Sequence, residues 1–372
     1  MPLSTSRYLE ATRALAALLV LLAHGSKIID APLGPLGDFG AEAVAIFFVI
    51  SGYVIAMVSN GKSTTCTDYV VARCARVLPV AIIALGFTFA IDSWGHSIAP
   101  AFYDGVPFYN PHNPVFSLLL SLTFTSELWG YHIVFGSDEP YWSLVLEVWY
   151  YAGWGVLIYA RGIWKPALVI FLALVGGPRI IAYFPIWLIG AGCYYLQQKP
   201  MFQSVRYGIW TKICIAAVLI AIPVSLKYLC FSWILGMMRF QDPELLVPFL
   251  SYFYLIGIAF GAGILLLTPP GPAGSRSLPF ARVQPLFAWF AGISFTLYLV
   301  HEPALVFVDA VAPHLTTNGL FDFAMLVAAV LMAATIALIS ERPRRHYRQA
   351  ILALIAAVKN LVPAGQVRPA VD

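Results

Sequence analysis

Apolar residues along this chain neither alternate with polar ones nor recur as a single helical stripe. They come in unbroken runs of roughly 17 to 23 residues joined by short polar segments. About 20 residues at 1.5 Å each cross a hydrocarbon core of ~30 Å, so each run is long enough to span a bilayer. The pattern predicts ten spans, at 12–29, 40–59, 77–93, 141–160, 164–176, 180–197, 212–232, 246–267, 286–308 and 320–340, of which the fifth is short. Only helices and closed barrels satisfy backbone polar groups in lipid, and continuous runs are not the alternating strands of a barrel. The expected fold class is therefore an all-α polytopic membrane protein, a bundle of about ten transmembrane helices. The first run starts too polar, and has too many successors, to be a cleaved signal peptide.

Composition agrees: 60% of residues are hydrophobic and 11% charged, against about 45–50% and 25% in soluble domains. Charge placement adds the orientation. With both termini cytoplasmic, all 22 Lys and Arg residues except Lys27, Arg179, Lys227 and Arg239 fall on the inner side. A further apolar stretch at 115–130 would invert every later loop if it crossed, so it is expected to be re-entrant or interfacial on the outer side. The net charge of +4 then follows from topology, and no nucleic acid partner is implied. A single domain is expected over 1–343, with 344–372 a basic juxtamembrane tail containing one short amphipathic helix. The five cysteines show no CxxC spacing, and the seven histidines form no ligand-spaced cluster, so no metal is expected. The outer stretch from Asp92 to Pro140 mixes aromatics (Trp94, Tyr103, Trp129, Tyr131) with acids (Asp104, Glu127, Asp138, Glu139). That mixture suits either a sugar site or an interfacial aromatic belt.

Ionisable side chains inside spans are costly and mark functional candidates. In the first span Arg13 and His24 are eleven residues apart, which sets them about 20° apart on one helix face and ~16 Å apart along the axis. A guanidinium at the mouth suits phosphates, and an interior histidine exchanges protons near neutral pH. The plainer reading is a snorkelling arginine and a helix-linking histidine. In the fourth span Ser143 and Glu147 share a face. Glu147 is expected to orient His24 or, alternatively, to form a structural polar link between helices. Arg73 and Arg76 share a face of a short helix leading into the third span, where they can bind phosphate or anchor the loop. His301, followed by Glu302 and Pro303, is either a second acid/base group or a helix-end structural residue. Trp142, Ser143 and His301 are the candidates for contacting an acceptor.

Taken together the segments RALAALLVLLAHG from Arg13, IFFVISGYVI from Ile46, YVVARCARVLP from Tyr69, YWSLVLEVWYY from Tyr141, GISFTLYLVHEP from Gly292 and SERPRR from Ser340 resemble the membrane-bound acyltransferase-3 family. That family includes bacterial O-acetyltransferases of surface polysaccharides and Nod factors. One departure is Ala45, where many members carry an acid; Glu42 stands one turn earlier. The resemblance implies a multi-pass enzyme of the bacterial inner membrane, with acyl-CoA (acetyl-CoA) as donor and a glycan or glycolipid as acceptor. The donor's nucleotide would be held by Arg13, Arg73 and Arg76, and its thioester would reach His24 as general base or acyl-accepting nucleophile. The competing readings are a proton-coupled transporter and a non-catalytic component of a polysaccharide export complex.

Overall fold

The computed structural model describes residues 3–29, 31–60, 65–106, 109, 113–203, 208–229, 246–267, 282–312 and 319–361; Arg239, His112, His314 and the last residues of the seventh run lie outside them. Every predicted run is a helix, and there is no strand among the described residues. The described α-helices longer than four residues are α1 (Leu3–Ile28), α2 (Gly40–Ser59), α3 (Cys66–Ile98), the short α4 (Pro114–Leu122), α5 (Tyr141–Tyr159), α6 (Trp164–Gly176), α7 (Pro178–Gln197), α8 (Ile209–Leu229), α9 (Leu246–Leu267), α10 (Gln284–Val311), α11 (Gly319–Ser340) and α12 (Arg344–Leu361).

Among the described residues, eight helices are long and apolar enough to cross a membrane. Of the other two predicted spans, α5 has 19 residues, but its Tyr, Trp and Glu147 lower the mean hydropathy. α6 has 13 residues, about 20 Å of helix. The third span starts earlier than expected. Thr65 caps α3 by accepting the Asp68 amide at 3.1 Å, so Arg73 and Arg76 lie on one 33-residue helix that runs through Pro79 rather than on a separate leader. The expected amphipathic helix of the C-terminal segment forms as α12, which packs against α3.

α4 has nine residues, about 13 Å, too short to span. The direction of α10 supports the same count. Arg13 of α1 bonds Ser294 of α10 at 3.0 Å, and His24, further along α1, bonds His301, further along α10, at 2.7 Å. The two helices therefore run parallel. An odd number of crossings must lie between them; the seven longer described helices from α2 to α9 meet this when α4 is left out, and counting α4 as an eighth does not.

After α4 the chain folds back into the bundle. Phe124 and Trp129 take positive φ, both 54°, and Ser126, Glu127, Ser137 and Asp138 are buried. Glu127 and Ser137 find partners, as burial ordinarily requires, whereas both Asp138 carboxylate oxygens are buried without a hydrogen-bond partner. Glu127 takes a hydrogen bond from Arg179 and another, at 2.8 Å, from His132. Asp92 accepts the Ser137 amide at 2.8 Å and its hydroxyl at 2.7 Å. Trp94, Trp129 and Tyr131 remain exposed, so this stretch divides into a buried polar strap and an exposed aromatic rim.

α10 is the most buried of the eight apolar helices and α2 the next. α2 is held closest by α7. A Cβ on Gly52 would lie 1.9 Å from the Trp187 carbonyl oxygen, and one on Gly190 would lie 1.9 Å from the Val49 carbonyl oxygen. Small residues that let two backbones touch replace the hydrophobic drive that lipid does not supply between helices. Around this contact Phe48 sits edge-on to Trp142, Tyr150 and Tyr183.

Two predictions follow from this packing. Gly52→Ala and Gly190→Ala should each destabilise the detergent-solubilised protein by about 1–3 kcal/mol, since backbone and not a flexible side chain must move. Gly86→Ala, which meets nothing within 4 Å, should leave the thermal midpoint unchanged or slightly raised; equal midpoints for all three variants would contradict the close contact. The second concerns Asp138, whose acidity burial, together with Asp92 and Glu139, pushes well above the usual carboxylate range. Its folded value exceeds its unfolded one, so stability is retained below about pH 4 and declines as pH rises above it, where only the unfolded chain ionises freely. Asp138→Asn should accordingly raise the thermal midpoint at pH 7–8, with the gain vanishing towards pH 4.

Candidate active site

Two cavities flank the α1–α10 seam. The first encloses about 830 Å³ of empty space including its open mouth, and is lined by Arg13, Arg73, Arg76, Ser51, Ser143, Glu147, Tyr151, Ser294 and Tyr298 among others. Arg73 lies 5.7 Å from the centre of the Tyr151 ring and Arg76 lies 5.9 Å from that of Phe295. Neither makes an ion pair or hydrogen bond with a described residue, and Arg13 bonds only the neutral Ser294. The three arginines are half-buried, and Arg73 Nε is a buried nitrogen without a hydrogen-bond partner. Three lining guanidiniums against the lining carboxylate of Glu147, with Glu341 also within electrostatic reach of Arg13 and Arg76, leave an excess of positive charge, which suits an anionic ligand and above all phosphate, because guanidinium forks match its oxygens. Arg344, at the start of α12, lies within electrostatic reach of Arg73 and Arg76.

The second cavity encloses about 2200 Å³ including open space, and is lined by His24, Lys27, Glu139, Trp142, Lys227, Tyr298 and Glu302 among others. His24 Nδ1 is 2.7 Å from His301 Nε2, and its Nε2 is 3.7 Å from a Glu302 carboxylate oxygen. The partners assign the protons. His301 Nδ1 meets only the Leu297 and Tyr298 carbonyl oxygens, at 3.0 and 2.9 Å, which can only accept, so Nδ1 carries the hydrogen. A neutral His301 then accepts at Nε2, His24 donates from Nδ1, and a neutral His24 is left with a bare Nε2 facing Glu302. That is the tautomer of a general base with a carboxylate beside it to offset the imidazolium charge.

This arrangement corrects the expected partnership. Glu147 is not bonded to His24; it accepts hydrogen bonds from Ser51 and Tyr151 in the first cavity, and Ser51 in turn accepts the Trp187 indole N–H at 3.1 Å. Glu147 thus forms the structural polar link that was its alternative reading. His301 holds His24 instead. The spacing argument against a histidine cluster also fails in three dimensions, since His24, His301 and Glu302 place ligand atoms within 4.8 Å of one another. Their 2.7 Å N···N contact is a hydrogen bond; two nitrogens sharing a metal at about 2.0–2.1 Å each would stand further apart.

The remaining candidates fall on both sides. Trp142 lines the histidine cavity and carries the Arg179 guanidinium 5.2 Å from its ring centre. Ser143, the next residue, lines the basic cavity and donates to the Tyr298 hydroxyl at 2.8 Å. Sequence reasoning missed Ser294, Tyr298 and Glu302 as site residues. A signal existed: Ser294, Tyr298 and His301 stand at i, i+4 and i+7, the same helical face. It also missed the partner of Glu42. Ala45 is fully buried, while Glu42 bonds Lys227 Nζ at 2.7 Å and the Tyr252 hydroxyl, and Lys227 donates to the Asp38 carbonyl at 2.6 Å.

The sequence profile of the Acyl_transf_3 family, described as an acyltransferase domain, matches residues 6–340. The chain therefore belongs to the acyltransferase-3 family, a family of polytopic membrane proteins. It is 28% identical over 156 residues to the exopolysaccharide production protein ExoZ of Rhizobium meliloti (strain 1021), covering 39% of this chain and 43% of that one. It is 27% identical over 195 residues to the O-acetyl transferase of Shigella phage Sf6, covering 49% and 58%. The chain thus spans about half the length of these curated relatives. No solved structure matches it.

The buried Glu42–Lys227 pair can be tested directly. Lys227→Met leaves an uncompensated carboxylate and should cost about 3–5 kcal/mol, and adding Glu42→Gln should recover most of the loss. Thermal midpoints of the two single variants and the double variant in one detergent measure the coupling.

Proposed function

We propose that the chain is a transmembrane O-acyltransferase that takes an acetyl group from cytoplasmic acetyl-CoA and delivers it to a hydroxyl of a glycan or glycolipid at the outer face of a bacterial inner membrane. One observation carries this reading: a cavity with excess guanidinium charge adjoins a cavity holding a histidine whose free nitrogen is poised as a base. Basic residues concentrate on the side from which α1 starts, which supports donor entry from the cytoplasm. The names of the two relatives, one an O-acetyl transferase and one an exopolysaccharide production protein, support the acyl group and the acceptor class.

In this mechanism Arg13, Arg73 and Arg76 hold the donor's phosphates while its pantetheine arm extends along α1 towards His24. The acceptor enters the histidine cavity, where Trp142 offers a flat apolar face to a sugar ring. His24 Nε2 takes the hydroxyl proton as the oxygen attacks the thioester carbonyl carbon. The C–S bond then breaks, and the departing CoA thiolate recovers the proton from the imidazolium. His301 fixes the tautomer and the ring orientation, and Glu302 offsets the transient positive charge.

The test is release of free CoA from acetyl-CoA by the purified protein in nanodiscs with a mixture of glycan acceptors. Wild type should turn over and His24→Ala should abolish turnover. Arg13→Ala should raise the donor KM about tenfold or more with a smaller effect on kcat. His301→Ala should lower kcat about 10²–10⁴-fold, the range expected for acid–base catalysis. Absence of turnover in wild type, or its survival in His24→Ala, overturns the assignment and directs attention to transport.

A further inference from the structure

The two cavities share part of their walls. Val44 of α2 and Tyr298 of α10 line both, and each is only 8% exposed. Tyr298 is held on several sides. Its hydroxyl takes the Ser143 hydrogen bond at 2.8 Å, its ring meets Phe47 edge-on at 5.7 Å, and its carbonyl receives the His301 N–H at 2.9 Å. Val44 has a short, stiff side chain with few rotamers. Trp142 lines the histidine side of this partition and Ser143 the basic side, so the first turns of α5 close it further.

A thioester anchored by its phosphates in the basic cavity must pass this partition to reach His24. What passes is the acyl group and the tip of the pantetheine arm, and two nearly closed side chains discriminate by bulk. Resting on the acyltransferase reading, we propose that Val44 and Tyr298 form the gate between the donor and acceptor cavities and set the acyl length, restricting the enzyme to short acyl groups. Val44 is the adjustable half, because changing it leaves the hydrogen bonds around Tyr298 and His301 intact.

The experiment compares kcat/KM for acetyl-, propionyl-, butyryl- and hexanoyl-CoA, read as free CoA in nanodiscs, for wild type, Val44→Ala and Val44→Leu. Wild type should favour acetyl-CoA. Val44→Ala should raise the butyryl-to-acetyl ratio about tenfold or more, since a methylene in an apolar passage changes discrimination by roughly 10–200-fold. Val44→Leu should lower the propionyl-to-acetyl ratio. Opposite shifts in the two variants separate a gate from mere loosening of the fold, which would move both ratios the same way. Ratios that stay at the wild-type value in both variants, or move together, overturn the gate while turnover of acetyl-CoA by wild type leaves the acyltransferase reading standing. No turnover of any donor by wild type overturns both. Should Val44→Ala fail to fold, Val44→Thr, nearly isosteric with valine, and Val44→Leu keep the comparison: under the gate Val44→Thr retains wild-type ratios and Val44→Leu does not.

Discussion

The seam between α1 and α10 is the constraint on which the site depends. Its two rungs, Arg13 to Ser294 and His24 to His301, are polar bonds within an apolar bundle, where an unmade bond to either side costs more than in water. They fix the direction of α10 relative to α1 and place one cavity beside each rung. They also set the tautomer of His24, because the chain of donors that begins at His301 Nδ1 ends at the free nitrogen of His24.

Elsewhere the bundle is held by close backbone contact and by a few buried charges. The α2–α7 contact at Gly52 and Gly190 rigidifies the wall that carries Val44 and Ser51. Glu42 and Lys227 pin α2 to α8 beside the histidine cavity, one turn from the fully buried Ala45. The strap from Phe124 to Pro140 closes the bundle above that cavity with its own network of Glu127, His132 and Arg179.

The fold was legible in the sequence wherever it depended on local pattern. Ten apolar runs gave ten helices because length and hydropathy are properties of contiguous residues. Charge placement sets Arg13, Arg73 and Arg76 at one end of the bundle, and their grouping around one ligand is what the family resemblance implies; all three line the first cavity. The histidine pair was not, because 277 residues separate its members and helix-face arithmetic yields a direction without naming the neighbour in that direction. The pairing of Glu147 with His24 rests on an interior carboxylate needing a partner, and Ser51 and Tyr151 supply that need instead. The boundary of α3 was misplaced for a simpler reason: the polar turn that begins it, capped by Thr65, lies outside the apolar run that announced it.

Because Arg13 and His24 belong to one uninterrupted helix, their axial separation cannot change without breaking α1. The helix therefore acts as a ruler. On the proposed reading, the distance between the donor's phosphate anchor and the reacting carbonyl is measured by eleven residues of backbone, and a thioester on a shorter arm is rejected by length before its acyl group is tested for size. A carrier of another build, such as a thioester lacking the nucleotide, would have to find its own anchor at the same mark.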